Sequence, residues 1–358
     1  MDRTRRSCRI LNAAILTGFL FLFAKSSAQT DSSKYTATHS GSSDSIHDPV
    51  YPQKDLTDVL HSLTGKKRDS LRSGSQIPAK YHFSIVPAIG YTLSTGFAGI
   101  LASNVAFFTA DSTKTNESNI AVQTVYSQYA QLTIPVLVNW WTRDNQYNIT
   151  ADWRYYKYPQ DTYGLGGHSS LNNEDNIDYS HLRIHQTVLK KIGAALYGGL
   201  GYFLDYHWNV EEEGLHNGQL SDAYLYGLPA KTVSSGAVLK VLFDDRKNSI
   251  NPDGGFYSDI LYRSNLKALG SDTNWQSLTL DIRKYFRPSP GSPNILAFWS
   301  YDWLTLSGKP PYLDLPATGW DTYNNTGRGY IQGRFRSENM VYLETEYRFI
   351  ISRNGLFG

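Results

Sequence analysis

Tyr147-Asn148-Ile149-Thr150-Ala151-Asp152-Trp153-Arg154-Tyr155-Tyr156 alternates strictly. In an extended chain, Tyr147, Ile149, Ala151, Trp153 and Tyr155 fall on one face, and Asn148, Thr150, Asp152, Arg154 and Tyr156 on the other. The code recurs downstream. Leu196, Gly198, Leu200, Tyr202, Leu204, Tyr206 and Trp208 oppose Tyr197, Gly199, Gly201, Phe203, Asp205 and His207. Val341, Leu343, Thr345, Tyr347 and Phe349 oppose Tyr342, Glu344, Glu346 and Arg348. Such runs outlast the ~5–6 residues of a globular strand and fit the roughly 9–11 residues of a tilted membrane-crossing strand with aromatics near its ends.

Outward from these runs, the same pattern predicts about twelve strands, near 81–95, 97–109, 118–129, 131–142, 146–158, 178–191, 194–209, 232–245, 255–265, 275–286, 294–306 and 340–352. Tight connections such as 143–145 and 251–255 alternate with long polar ones at 164–176, 211–231 and 307–339, as short periplasmic turns and long outer loops do. A bilayer leaves no place for unpaired strand edges, so the fold expected is an all-β, transmembrane antiparallel β-barrel. The rival is a secreted soluble β protein, which would bury the apolar face and wet the charged one.

Composition agrees with export. Among 358 residues there are 49 aromatics, one Cys and 41% hydrophobic side chains, a profile unlike a disordered chain, a disulfide scaffold or a bundle of membrane helices. Residues 1–28 read as a signal peptide, with Arg3, Arg5, Arg6 and Arg9 before an apolar stretch from Ile10 to Ala24 and small residues at Ser26-Ser27-Ala28. Cleavage there removes Lys25, Asp2 and those four arginines and turns the net charge of +2 into −2, so no basic field for nucleic acid remains. It also removes Cys8, and with it thiol catalysis and thiolate metal sites. Residues 29–80 form a low-hydrophobicity periplasmic N-terminal segment, in which Leu56, Val59, Leu60 and Leu63 have the spacing of a short tethering or plug-like helix. The barrel is expected over 81–358.

Two stretches carry a specific resemblance. Asp244-Asp245-Arg246-Lys247-Asn248-Ser249-Ile250-Asn251-Pro252-Asp253-Gly254-Gly255 resembles the strand-turn-strand motif of the BamA/TamA family of outer-membrane barrels, the bacterial surface antigen family, with Lys247 where that family has Asp. Gly327-Arg328-Gly329-Tyr330-Ile331-Gln332-Gly333-Arg334-Phe335-Arg336 resembles its sixth-loop motif, and Glu346-Tyr347-Arg348-Phe349 resembles its twelfth strand. The turn motif, Asp244, Arg246, Asn248, Pro252 and Gly255, is chemically a hairpin reversal in which Asn248 bonds turn backbone groups. In the loop motif, Arg328, Gly329, Tyr330, Gly333 and Arg334, glycines permit a sharp tip and a guanidinium suits bidentate capture by a carboxylate. The resemblance implies that this tip folds into the lumen, where Glu344 and Glu346 are the candidate acid partners. An exposed loop tip is the alternative.

The same resemblance implies a sixteen-strand barrel preceded by periplasmic polypeptide-transport-associated domains. Residues 29–80 are too few for one such domain, and about four C-terminal strands of the family barrel are expected to be missing after Gly358. A barrel-only member is therefore expected.

Catalytic constellations are weak, and the chain is not expected to be an enzyme or to carry a cofactor or metal. His181 and His185 lie on one strand face roughly 13 Å apart, too far to share an ion and better read with His207 as lumen-lining. His168-Ser169 lacks an orienting acid, and Gly164-Leu165-Gly166-Gly167 lacks the following helix a nucleotide site needs. Three functions stand open: assembly of outer-membrane proteins or translocation of polypeptides, as the resemblance implies; a passive pore or structural barrel; and a secreted glycan-binding protein. The expected location is the outer membrane of a Gram-negative bacterium. Expected partners are outer-membrane lipids, client outer-membrane proteins and periplasmic chaperones.

Overall fold

The computed structural model describes residues 81–351 apart from 93, 216, 217, 247, 250 and 290. The leader at 1–28, the segment at 29–80, Lys247 and the closing residues 352–358 lie outside the described residues. The strands are β1 Tyr81–Thr92, β2 Gly96–Phe107, β3 Ser118–Ser127, β4 Leu132–Trp141, β5 Tyr147–Lys157, β6 Gln160–Thr162, β7 Asp175–Lys191, β8 Leu196–Glu212, β9 Lys231–Asp244, β10 Gly255–Asn265, β11 Trp275–Phe286, β12 Ile295–Gly308 and β13 Asn339–Arg348. Each pairs antiparallel with the next in one continuous sheet, except that β6 is a short addition to β7 and β5 pairs with β7 directly. β1 and β13 end the path. The sheet thus has thirteen strands rather than about twelve. β6 escaped notice because three residues are too few for an alternation to register.

The sheet is inside-out by soluble standards. Its apolar face is open, with Leu200 64%, Leu239 54% and Leu343 71% exposed, while Arg154 at 3% and Asp205 at 1% lie on the covered face. A water-soluble protein does not leave an apolar surface that continuous uncovered, whereas a bilayer supplies its solvent. Aromatic pairs mark both rims of that outer face. Tyr81–Phe107, Phe107–Trp140 and Phe286–Phe298 lie at one end, and Tyr91–Phe97, Tyr155–Trp208 and Tyr206–Trp208 at the other. Rings of this kind suit the polar-apolar boundary of a membrane. These observations exclude the soluble alternative and make the sheet a transmembrane barrel wall.

β7 and β8 approach each other closely at Gly199. A Cβ on Gly199 would stand 2.0 Å from the Val188 carbonyl oxygen, so the backbones approach too closely there for any side chain. Two clusters of buried side chains pack along the wall. Trp141, Leu189, Tyr197 and Leu242 pack at the end bearing the 142–146 and 192–195 turns. Tyr156, Tyr158, Ile177, Tyr179 and Val210 of the wall pack on Tyr312 and Leu315 of the β12–β13 connection and on Ala223 of α1 (Asp222–Tyr226), a one-turn helix capped by Ser221. The long connections predicted as outer loops therefore fold partly inward, and the connection 309–338 occupies the interior.

Candidate functional site

The interior face of β5, β7, β8 and β10 carries a dense ionic network centred on Asp205. Its Oδ1 accepts from Arg183 Nε at 2.9 Å and contacts His181 Nε2 at 3.1 Å, and its Oδ2 accepts from Arg263 Nη1 at 2.7 Å and contacts His185 Nε2 at 2.7 Å. His181 and His185 therefore meet at one carboxylate, because Arg183 between them stands directly across from Asp205. Arg183 lies also 3.9 Å from Asp152, which holds Arg154 in a fork of 2.5 and 2.8 Å. The imidazoles of His181 and His207 stack at 4.1 Å. Buried charges of both signs thus satisfy one another in place of water.

The 309–338 connection docks on this wall through polar contacts. Arg154 Nη2 donates to the Thr322 carbonyl at 2.8 Å, Tyr158 Oη to Gln332 Oε1 at 2.6 Å, and Thr162 and Tyr312 share a hydroxyl bond of 2.6 Å. Inside the loop, the buried guanidinium of Arg336 donates to the carbonyls of Tyr312 and Leu315 at 3.0 and 3.3 Å. Asp321 closes the tip by accepting from the backbone of Asn325 at 3.0 Å and of Thr326 at 2.8 Å.

The two sequence motifs converge at the opposite side of the loop. Arg246, Pro252, Arg328, Glu344, Glu346 and Arg348 line one cavity of about 130 Å³ together with Arg283 and Trp299. Asp244 grips Arg246 in a two-bond fork of 2.8 Å each, and Asn248 Oδ1 accepts from the Asn251 amide at 3.0 Å. Gly255 takes φ +105°, and a Cβ there would meet Arg246 Cα at 2.9 Å. Arg348 reaches from β13 to Asn251 Oδ1 at 3.2 Å and to the Pro252 carbonyl at 3.4 Å, which fastens the turn to the last described strand.

Arg328 lies 3.6 Å from Glu344 and its side chain is 61% exposed. Glu346 does not pair with it. Its carboxylate binds Arg348 at 3.1 Å, a neighbour two residues along the same strand face and so nearer than any loop residue. Gly329 has φ +87° with open space around it, and Tyr330 is exposed, edge-on to Phe335 at 5.3 Å. Gly333 has φ +77°, with the Asp161 carbonyl 3.3 Å from a notional Cβ. Arg334 donates to Ser169 Oγ at 3.0 Å, which gives that serine a structural partner.

Sequence reasoning assigned no role to Asp205, Arg263 or Asp314, and it showed Arg336 only as the end of the loop motif. The first two were legible only as polar-face members of separate strands, since their pairing depends on register. Among the described residues no group of His, Cys, Asp and Glu is arranged to hold a metal. A second cavity, about 380 Å³, opens at the long-loop end between the wall and Gln332 and is bordered by Asp161, Glu174 and Glu213. The described residues of the site offer ionic sockets and a loop seated on them.

No family model and no curated protein matches the chain. Solved structures similar to it include BamA and CdiB. BamA from Haemophilus ducreyi lacking POTRA domains 1-3 aligns over 70% of this chain and 46% of its own, with a TM-score of 0.45 and 13% identity. CdiB from Acinetobacter baumannii aligns over 75% of this chain and 46% of its own, with a TM-score of 0.45 and 13% identity. The chain thus spans less than half the length of either of these two structures.

Proposed function

We propose that this protein is an outer-membrane barrel of a Gram-negative bacterium that assists the insertion of other outer-membrane proteins or the passage of polypeptides, without covalent chemistry. The observation that carries the reading is the seated 309–338 loop, whose Arg328 shares one cavity with Arg246 and Pro252 of the turn and with Glu344, Glu346 and Arg348 of β13. A loop held against the wall by replaceable polar contacts can shift when a polypeptide enters, while the wall keeps its covalent and backbone continuity. Client barrels and the chaperones that deliver them are the partners this implies, and outer-membrane lipid is the solvent of the apolar face. A passive pore is less favoured because the loop fills the interior beside β5, β7 and β8.

The test is reconstitution of the full chain in lipid vesicles and measurement of the folding rate of a small unfolded client barrel added from urea. Faster folding than in empty vesicles supports the proposal. No acceleration together with steady ionic conductance in planar bilayers would replace it with the pore.

A further inference from the structure

Asp314 sits in the first turn of the seated loop, Tyr312–Asp314, and faces the wall rather than solvent. Ser234 Oγ on β9 donates to its Oδ2. Its other oxygen lies 3.9 Å from His207 Nδ1 on β8. The charged groups that act on it are Asp205 on β8, Arg263 on β10 and Arg183 on β7, while His181 on β7 and Arg336 of the loop act on its neighbour His207. The guanidinium of Arg263 is already committed. Arg263 donates to Asp205, to Asn265 Oδ1 and to the Ser234 carbonyl. Asp314 therefore has a hydroxyl donor and a second carboxylate for company, a setting in which a buried acid keeps its proton.

We propose that Asp314 is a proton-operated latch that holds the 309–338 loop against the inner wall and releases it as the pH rises. The inference concerns the loop's position and holds whether or not the barrel moves polypeptides. Burial and the neighbouring Asp205 push the Asp314 carboxyl up from 3.8 to about 7 when the loop is seated. A released loop puts the same group in water, at its ordinary value. The seated state then binds a proton that the released state lacks between about pH 4 and pH 7. Seating is strongest in acid, weakens by about tenfold per pH unit through that window, and levels off above it, where the carboxyl is ionised in both states.

The experiment uses the full chain in phosphatidylcholine vesicles, with Cys8→Ser and nitroxide labels on Tyr330→Cys in the loop and Ile192→Cys in the β7–β8 turn. Pulsed electron resonance reads the distance between them at pH 5 and pH 8. The expected result is one distance population at pH 5 and a second, longer one growing at pH 8, as the seated-to-released ratio falls on the order of 100-fold. In Asp314→Asn, which keeps an acceptor for Ser234 but leaves His181, His185 and His207 in place, the distribution should be the same at both values, so a response carried by those histidines instead of Asp314 would show as one that persists. An unchanged distribution in the wild-type background, or a pH response that persists in Asp314→Asn, overturns the latch. Should Asp314→Asn fail to assemble, infrared spectroscopy of the unlabelled protein decides: a protonated-carboxyl band that titrates between pH 6 and 8 supports it, and its absence overturns it.

Discussion

Asp205→Asn should be the most damaging conservative change in the barrel interior. The side chain is 1% exposed and holds Arg183, Arg263, His181 and His185 at 3.1 Å or less. Arg183 retains Asp152 at 3.9 Å, but Arg263 is left with two neutral acceptors, Asn265 Oδ1 and the Ser234 carbonyl. Removing one partner of a buried pair leaves an uncompensated charge, at a cost of about 3–5 kcal/mol. Urea unfolding in lipid vesicles, followed by tryptophan fluorescence, reads the loss directly. Because the cost resides in the stranded guanidinium, Arg263→Met in the Asp205→Asn background should recover part of it, with a coupling of about 1–3 kcal/mol in a double-mutant cycle. A loss below about 1 kcal/mol for Asp205→Asn, or strict additivity of the two changes, would refute the reasoning by showing that the network is solvated rather than sealed.

Leu239→Arg, on the outer face of β9, should lower stability in vesicles by about 2–4 kcal/mol, as a charge facing the bilayer centre does. A soluble sheet would tolerate that change, so a neutral result in the same urea titration counts against the membrane reading. Gly199→Ala should cost about 1–3 kcal/mol or block assembly, since its Cβ meets the Val188 backbone, whereas Gly99→Ala on β2, with nothing within 4 Å, should be silent by heat-modifiable gel mobility. Arg328→Ala should change stability by only about 0–1 kcal/mol, because its contact with Glu344 is long and the side chain largely exposed. A loss above about 2 kcal/mol there would mean that the loop tip is held more tightly than the 3.6 Å contact implies.

Much of the wall was legible because a barrel strand must obey one rule along its whole length. Residues 147–156 and 341–348 alternate without interruption, and each expected strand lies close to one of the structure, within about five residues at either end. The rule gives faces and strand ends, but not which face is wet. That question was settled by the burial of Arg154 and Asp205 against the exposure of Leu239 and Leu343. Where the alternation is too short, as in Gln160–Thr162, or absent, as in 309–338, the code carries no information about what the chain packs against.

The site was legible in a different measure, and for a physical reason. Arg328 drew notice because residues 327–336 resemble a family loop motif, yet the contacts that anchor the loop carry no such signature. Arg336 binds two carbonyls of its own loop, Asp314 meets a serine 80 residues earlier, and Arg154 reaches a backbone oxygen 168 residues away. Contacts to backbone carbonyls leave no complementary residue to find in a sequence, since every residue offers one. They also suit a loop that must leave its seat. A carbonyl released from a guanidinium rebonds to water at little net cost, and the guanidinium does likewise, so these polar contacts add little to the cost of moving the loop beyond that of exposing Tyr312 and Leu315. A loop sealed by apolar packing alone would sit too firmly to move, and one held by exposed ion pairs such as Arg328 with Glu344 would not stay. The interior combines an ionic wall, whose partners are fixed by strand register, with a loop fastened both by the apolar packing of Tyr312 and Leu315 and by polar bonds to backbone carbonyls, and only the latter can be exchanged for water without exposing apolar surface.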